Sequence, residues 1–258
     1  MTLPLHARGE SGPVVLWVHG YTLDGTIWEA LWDLLPGYRH LAVDLPGHGT
    51  APAATSVDAS VNALAETIGS TQPGAVVALS YGGMLALEAA IRAPGSVKRL
   101  VLAAPALAGG PVDEESRTCH LDLLRLARER GVGPWLADRW TGVPPRIFAG
   151  ARRRLNLFAQ LYEIVLRHRW TELLSGGGAA ANELPRQLDR LRHVRARTTI
   201  VIGDEDMESF KRCADMIRRG IPGCERLYVP DAGHLPLLEA PERCAGLLAV
   251  ALGAPAGR

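Results

Sequence analysis

The chain has 258 residues, with 28 Lys and Arg against 27 Asp and Glu for a formal net charge of +1, and 47% of it is hydrophobic. That length buries one sizeable α/β core without a second domain, and the balanced charge, with no basic cluster interleaved with aromatics, excludes a nucleic-acid partner held by a strong basic field. No apolar run reaches about 18 residues and the opening MTLPLHARGESG lacks a signal-peptide core, so a soluble, cytoplasmic protein with no membrane partner is expected.

Residues 13–18, PVVLWV, form a continuous apolar run suited to a strand buried on both faces. A loop follows, and from Thr26 the residues Ile27, Trp28, Leu31, Trp32, Leu34 and Leu35 recur at helical spacing until Pro36-Gly37. Residues 40–43 give a second strand, broken by the turn-rich DLPGHG at 44–49. A helix is expected over 57–68 with Ser56 as its cap, a third strand over 76–79, a helix over 82–93 and a fourth strand over 97–104. Strands alternating with helices imply a mostly parallel sheet.

The alternation then stops. Between about 105 and 194 no strand pattern appears, and helical, arginine-rich segments are separated by breaks at 131–134, 144–145 and 176–178. This stretch reads as an all-helical cap, residues 106–194, inserted into a core formed by 1–105 and 195–258. Strands resume at 198–202 and 226–229, with helices over 208–218 and 236–251. The four cysteines, Cys119, Cys213, Cys224 and Cys244, form no C-x-x-C pair and read as free thiols, so no metal or redox cofactor is indicated.

Chemistry gathers at strand ends. In AVVALSYGG, residues 75–83, an apolar strand stops at Ser80 with glycines at 82 and 83, as in a sharp strand-to-helix turn with small flanking residues that lifts one hydroxyl clear of the sheet. A serine at a strand end by itself reads equally well as a helix cap. Asp204 and Asp206 follow the strand TTIVIG, and His234 lies in DAGHLP after RLYV.

The order Ser, Asp, His across successive strand ends, together with HG at 19–20, DLPGHG at 44–49, S-x-G-G at 80–83, G-x-x-D at 203–206 and GH at 233–234, resembles the α/β-hydrolase superfamily over nearly the whole chain. The layout is similar to its esterases with a helical lid and to its menaquinone-pathway synthase-like members. The resemblance implies Ser80 as nucleophile, His234 as general base and Asp206 as the acid, with Asp204 its competitor; Asp206 is preferred for standing three residues after Gly203. It implies backbone N–H groups of Tyr21 and Tyr81 as the oxyanion hole. Ala78 stands where the family's first elbow glycine usually does, a departure of one methyl group. His19 and His48, in family turn motifs, are expected to be structural.

The expected activity is hydrolysis of a small-to-medium ester, thioester or lactone, a small-molecule substrate, without a cofactor. The alternative is a lyase in which the same triad acts as a base to eliminate a small acid such as acetate. In the synthase-like members an arginine follows S-x-G-G, where this chain has Met84. A third reading is a non-catalytic ligand receptor. Pocket candidates are Met84, Trp28, Trp135, Trp140, Phe158 and Tyr162. The arginines at 152–154, 167 and 169 read either as a solvated face or as a hold for a carboxylate or an acidic carrier protein.

Overall fold

The buried runs of the sequence pair side by side into one sheet. The computed structural model describes residues 2–174 and 184–253. Its strands are β1 (Leu5–Arg8), β2 (Val14–Val18), β3 (Arg39–Val43), β4 (Ala75–Leu79), β5 (Arg99–Ala103), β6 (Arg197–Gly203) and β7 (Glu225–Val229), in the order β1-β3-β2-β4-β5-β6-β7. All neighbours are parallel except β1, which pairs antiparallel with β3. Central β4 is buried at all five positions, as its unbroken apolar run requires.

The sequence pattern missed β1. Its four residues, LHAR, lie on an edge and are mostly exposed, so they carry neither an apolar run nor a clean alternation. The strand nevertheless serves the core, since His6 donates from Nε2 to Asp44 Oδ1 at 2.9 Å. Asp44 Oδ1 also accepts from Gly25 N, and Oδ2 from the backbone N and hydroxyl of Thr50, each at 2.9 Å. Burial alone would raise the Asp44 pKa, but these donors hold it below the usual value. One carboxylate therefore ties the DLPGHG turn to the loop after β2.

The helices flank the sheet with small shifts from their expected bounds. The amphipathic run after β2 is not one helix but a 3-10 turn (Gly25–Trp28) followed by the short α1 (Glu29–Asp33), the turn being capped by the Asp24 side chain. Trp28 and Trp32 pack on Trp17 of β2, with ring centroids at 5.2 and 6.4 Å. Helix α2 (Val57–Thr71) starts as expected, Ser56 Oγ accepting from Ala59 N at 3.1 Å. Helix α3 (Ser80–Arg92) begins at the elbow serine itself.

Among the described residues five α-helices lie between β5 and β6: α4 (Glu114–Arg130), α5 (Pro134–Thr141), α6 (Ala149–Arg152), α7 (Leu155–Arg167) and α8 (Thr171–Leu174). No strand occurs there among the described residues. The glycine break expected at 176–178 lies outside them. The returning segment is a 3-10 turn over Leu188–His193, tighter than the helix its sequence suggested. After β6 come α9 (Glu208–Gly220), α10 (Pro236–Glu239) and α11 (Pro241–Leu252), the last two in place of one expected helix because Ala240 leaves helical geometry before Pro241. The four cysteines are free; three are buried and Cys224 is partly so. Among the described residues no helix is long and apolar enough to cross a membrane.

A buried carboxylate anchors the return of the helical insert. Glu88 of α3 is 0% exposed and accepts from Arg190 through two bonds of 3.0 and 2.8 Å, from Arg92 at 2.8 Å and from Gln187 at 3.2 Å. Gln187 also spans Ala108 N at 3.0 Å and Met84 O at 2.8 Å. Removing one partner of such a group leaves the others uncompensated, at a cost of about 3 kcal/mol. Glu88→Ala is therefore expected to lower the unfolding free energy by about that amount in urea titrations; an unchanged midpoint and slope would show the network to be dispensable.

Candidate active site

The site forms where β4 turns into α3. Ser80 has φ of +52°, a left-handed conformation that residues with a side chain rarely hold. Gly82 makes the turn possible: a Cβ there would lie 2.2 Å from the His19 carbonyl oxygen at the end of β2. Gly83 is different, since a Cβ there would meet Pro105 Cβ at 3.4 Å, an ordinary contact. Crowding thus requires the first of the two glycines and not the second. Ala78 is fully buried within β4 and sits in the turn's approach without displacing it.

Asp206 and His234 are brought together by another close approach. A Cβ on Gly203 would lie 2.2 Å from the carbonyl oxygens of both Ala232 and Gly233, so glycine at the end of β6 lets the 230–235 loop cross it. Glu205 N donates to Ala232 O at 3.0 Å and locks the crossing. His234 then points one nitrogen at each neighbour: Nδ1 lies 3.0 Å from Asp206 Oδ1 and Nε2 lies 2.9 Å from Ser80 Oγ. A carboxylate only accepts, so Nδ1 carries the proton and Nε2 is left as the acceptor for the serine hydroxyl. Asp206 Oδ1 also accepts from Met207 N at 2.7 Å. Asp204 is exposed and engaged only through its backbone, so His234 faces Asp206 and not its competitor.

Two residues beside the histidine were not singled out from the sequence pattern. Phe210 of α9 packs on the His234 ring with centroids 4.0 Å apart. Glu239, fully buried, accepts from Gly233 N at 2.6 Å and Leu235 N at 3.1 Å, gripping the backbone on both sides of His234. Burial pushes its pKa up. A glutamate five residues past the histidine inside the apolar PLLEAP was the available signal, since an acid there must find donors.

On the other side of Ser80 lies the loop after β2. Gly20 backs directly onto the elbow, a Cβ there falling 3.5 Å from Ser80 Cβ. Tyr81 stands in the first turn of α3, directly after Ser80. Tyr21 and Thr22 are both held by the helical insert: Tyr21 Oη donates to Glu172 Oε1 at 2.5 Å, and Trp140 Nε1 donates to Thr22 Oγ1 at 2.7 Å. Thr22 itself is left-handed, with φ of +63°.

His19 has the structural role expected of it. Its Nδ1–H donates to Gly20 O at 2.8 Å and its Nε2 accepts from Leu45 N at 2.9 Å, bridging two site loops. Burial lowers its pKa from 6.5 to about 4.

The pocket candidates separate. Trp140 reaches the site and contacts Tyr21 edge-on at 5.3 Å. Trp28 does not belong to the cleft: it is 0% exposed and packs on Trp17 in the core. Trp135 binds Gly131 O beneath the Arg130 guanidinium, Phe158 lies under Arg152, and Tyr162 donates to Asp138 at 2.6 Å, so all three serve the insert's own packing. Met84 is buried within α3. Trp170 and His168, unassigned by the sequence pattern, join Tyr21 instead, at 6.3 and 5.7 Å. Most of the arginines considered for an anion have partners within the chain: Arg152 the Thr141 carbonyl, Arg153 Glu205 and Asp231 O, Arg167 Asp24, and Arg169 Ala51 O. No group of three or more His, Cys, Asp or Glu placed to hold a metal occurs among the described residues.

Residues 15–247 match the model of the alpha/beta hydrolase family. The chain belongs to the α/β-hydrolase family. Over 149 residues it is 38% identical to lipase LipV of Mycobacterium tuberculosis, a match covering 52% of this chain and 57% of that one. A pimeloyl-[acyl-carrier protein] methyl ester esterase of Nitrosomonas europaea is 26% identical over 90% of this chain and 93% of its own. A 2-succinyl-6-hydroxy-2,4-cyclohexadiene-1-carboxylate synthase of Enterobacter sp. is 27% identical over 92% and 90%. This α/β hydrolase is thus similar along most of its length to a methyl ester esterase and to a synthase, and over about half of it to a lipase.

Neutral His19 makes the hydrolase acid-sensitive. The unfolded chain binds a proton at His19 below pH 6.5 and the folded chain only near 4, so the stabilisation is whole above 6.5 and is lost as pH falls toward 4. The loss expected from this residue is on the order of 3 kcal/mol, and His40 and His120, whose pKa values burial also lowers, act in the same direction. Urea titrations at pH 7 and 4.5 measure it; equal stability at both would contradict the assignment.

Proposed function

We propose that this chain is a serine hydrolase that cleaves a small-to-medium ester, thioester or lactone through an acyl-enzyme at Ser80. The observation carrying this is the unbroken relay from Ser80 Oγ through His234 to Asp206, with spacings of 2.9 and 3.0 Å. In this reading His234 Nε2 removes the hydroxyl proton as Oγ attacks the carbonyl carbon, and Asp206 stabilises the imidazolium that forms. The backbone N–H groups of Tyr21 and Tyr81 receive the oxyanion, each worth about 3 kcal/mol of barrier. His234 returns the proton to the leaving group, and water then repeats the sequence on the acyl-enzyme.

Asp206→Asn is expected to lower kcat by roughly 10⁴-fold, because an amide stabilises the wrong imidazole tautomer, whereas Asp204→Asn stays within a few-fold of wild type. A reversed ranking would move the acid to Asp204. A fluorophosphonate should label Ser80 stoichiometrically and abolish turnover; an active enzyme that resists labelling defeats the nucleophile assignment.

The similarity to the synthase over nine-tenths of both chains supports a second reading, in which the same serine oxygen serves as base in an elimination. Met84, at the position after S-x-G-G where the synthase-like members carry an arginine, weighs against that activity in its usual form. Turnover in heavy-oxygen water separates the two. Hydrolysis places the label in the released acid; elimination leaves both products unlabelled.

A further inference from the structure

The insert and the DLPGHG turn place two histidines side by side behind the loop after β2. His48 and His168 have ring centroids 4.7 Å apart and are 5% and 6% exposed. Each is committed through one nitrogen. His48 Nδ1–H donates to Pro46 O at 3.0 Å, and burial, with His168, His19 and Arg169 nearby, holds its pKa well below 6.5, so Nε2 carries a bare lone pair at neutral pH. His168 Nε2–H donates to the Glu172 carboxylate at 3.1 Å. The other two nitrogens, His48 Nε2 and His168 Nδ1, are buried and meet no hydrogen-bond partner among the described residues.

Buried polar atoms are rarely left unpaired, and these two lie next to the chemistry. The His48 ring stacks on Tyr81, the residue after Ser80, at 6.2 Å and 27°. The His168 ring meets Tyr21 at 5.7 Å. Tyr21, Tyr81 and Ser80 are themselves partly exposed.

Building on the serine-hydrolase reading, we propose that His48 and His168 form a specificity subsite for a substrate hydroxyl, so that the preferred ester carries a free OH a few atoms from its scissile carbonyl. The chemistry of the pair selects among polar groups. A carboxylate brings only lone pairs to an acceptor nitrogen. An ammonium would be drawn toward a place where the Arg169 charge already acts on His48. A hydroxyl is neutral and donates its proton to one of the two bare nitrogens. A site built to bond a hydroxyl discriminates strongly against the analogue lacking it, because its own buried atoms then stay unpaired.

Two matched pairs test this: 2,3-dihydroxypropyl butanoate against propyl butanoate, and methyl 3-hydroxybutanoate against methyl butanoate. Wild-type kcat/KM is expected to favour the hydroxylated member of at least one pair by about tenfold or more. That ratio should fall toward one in His168→Phe and persist in part in His168→Asn, whose amide both donates and accepts. Ratios within twofold for both pairs in the wild type, the result if the two nitrogens share only an ordered water, overturn the proposal, as does a ratio that survives His168→Phe. Calorimetric binding of the same four esters to Ser80→Ala reads the subsite without turnover. If the wild type cleaves none of the four, the hydrolase reading fails on its own account, and the subsite stands or falls on whether Ser80→Ala binds a hydroxylated ester more tightly than its partner.

Discussion

Everything at this site depends on how closely α3 approaches the end of β2. With no Cβ on Gly82, the backbone of the first turn presses against the His19 carbonyl, and that approach holds Ser80 at positive φ with its hydroxyl turned toward His234. A left-handed serine costs on the order of 1–3 kcal/mol, and the cost is met by the buried sheet on either side, where β2 and β4 are apolar without interruption. The same approach brings Gly20 against Ser80 Cβ, so the elbow and the oxyanion loop are set by one contact. A second glycine contact, Gly203 under the Ala232 and Gly233 carbonyls, does the equivalent work for the acid and the base.

The helical insert contributes to this geometry as well as covering it. Trp140 and Glu172 hold Thr22 and Tyr21, two adjacent residues of the oxyanion loop, by side-chain hydrogen bonds. Arg153 pairs with Glu205, next to the acid, and donates to the carbonyl of Asp231 in the histidine loop. Gly150 lies against the Glu239 carboxyl that grips the backbone around His234, so closely that a Cβ there would overlap it. The insert is thus fastened both to the loop after β2, through Tyr21 and Thr22, and to the loops that carry Asp206 and His234, through Arg153.

Six of the seven described strands were legible because unbroken apolar runs are a pattern local in sequence, whereas Ser80, Asp206 and His234 were picked out by the order and spacing of motifs that resemble those of the α/β-hydrolase superfamily. β1 was not legible, since four half-exposed edge residues are stabilised by pairing with β3 rather than by burying a face. Trp28 was misplaced among the pocket candidates for a related reason. Helical spacing says that Trp28 and Phe158 face something apolar but not whether it is core or cleft, and Trp28 proved to face Trp17. Glu239 and Glu172 went unassigned because apolar periodicity says nothing of the donors an acid will meet, backbone N–H groups of Gly233 and Leu235 for one, His168 and the distant Tyr21 for the other.

The histidines show how far identity is from role. His19, His48, His168 and His234 are all buried, and composition distinguishes none of them. What separates them is the partner on each nitrogen. His19 spends both on backbone and is fixed as a neutral brace. His234 spends one on a carboxylate and aims the other at a hydroxyl, the arrangement of a base. His48 and His168 spend one each and leave the second facing no donor or acceptor among the described residues, in a cluster packed around Tyr21. Since a buried nitrogen without a partner costs more than a satisfied one returns, a fold that keeps two of them beside its nucleophile is better explained by a ligand that completes them than by packing alone.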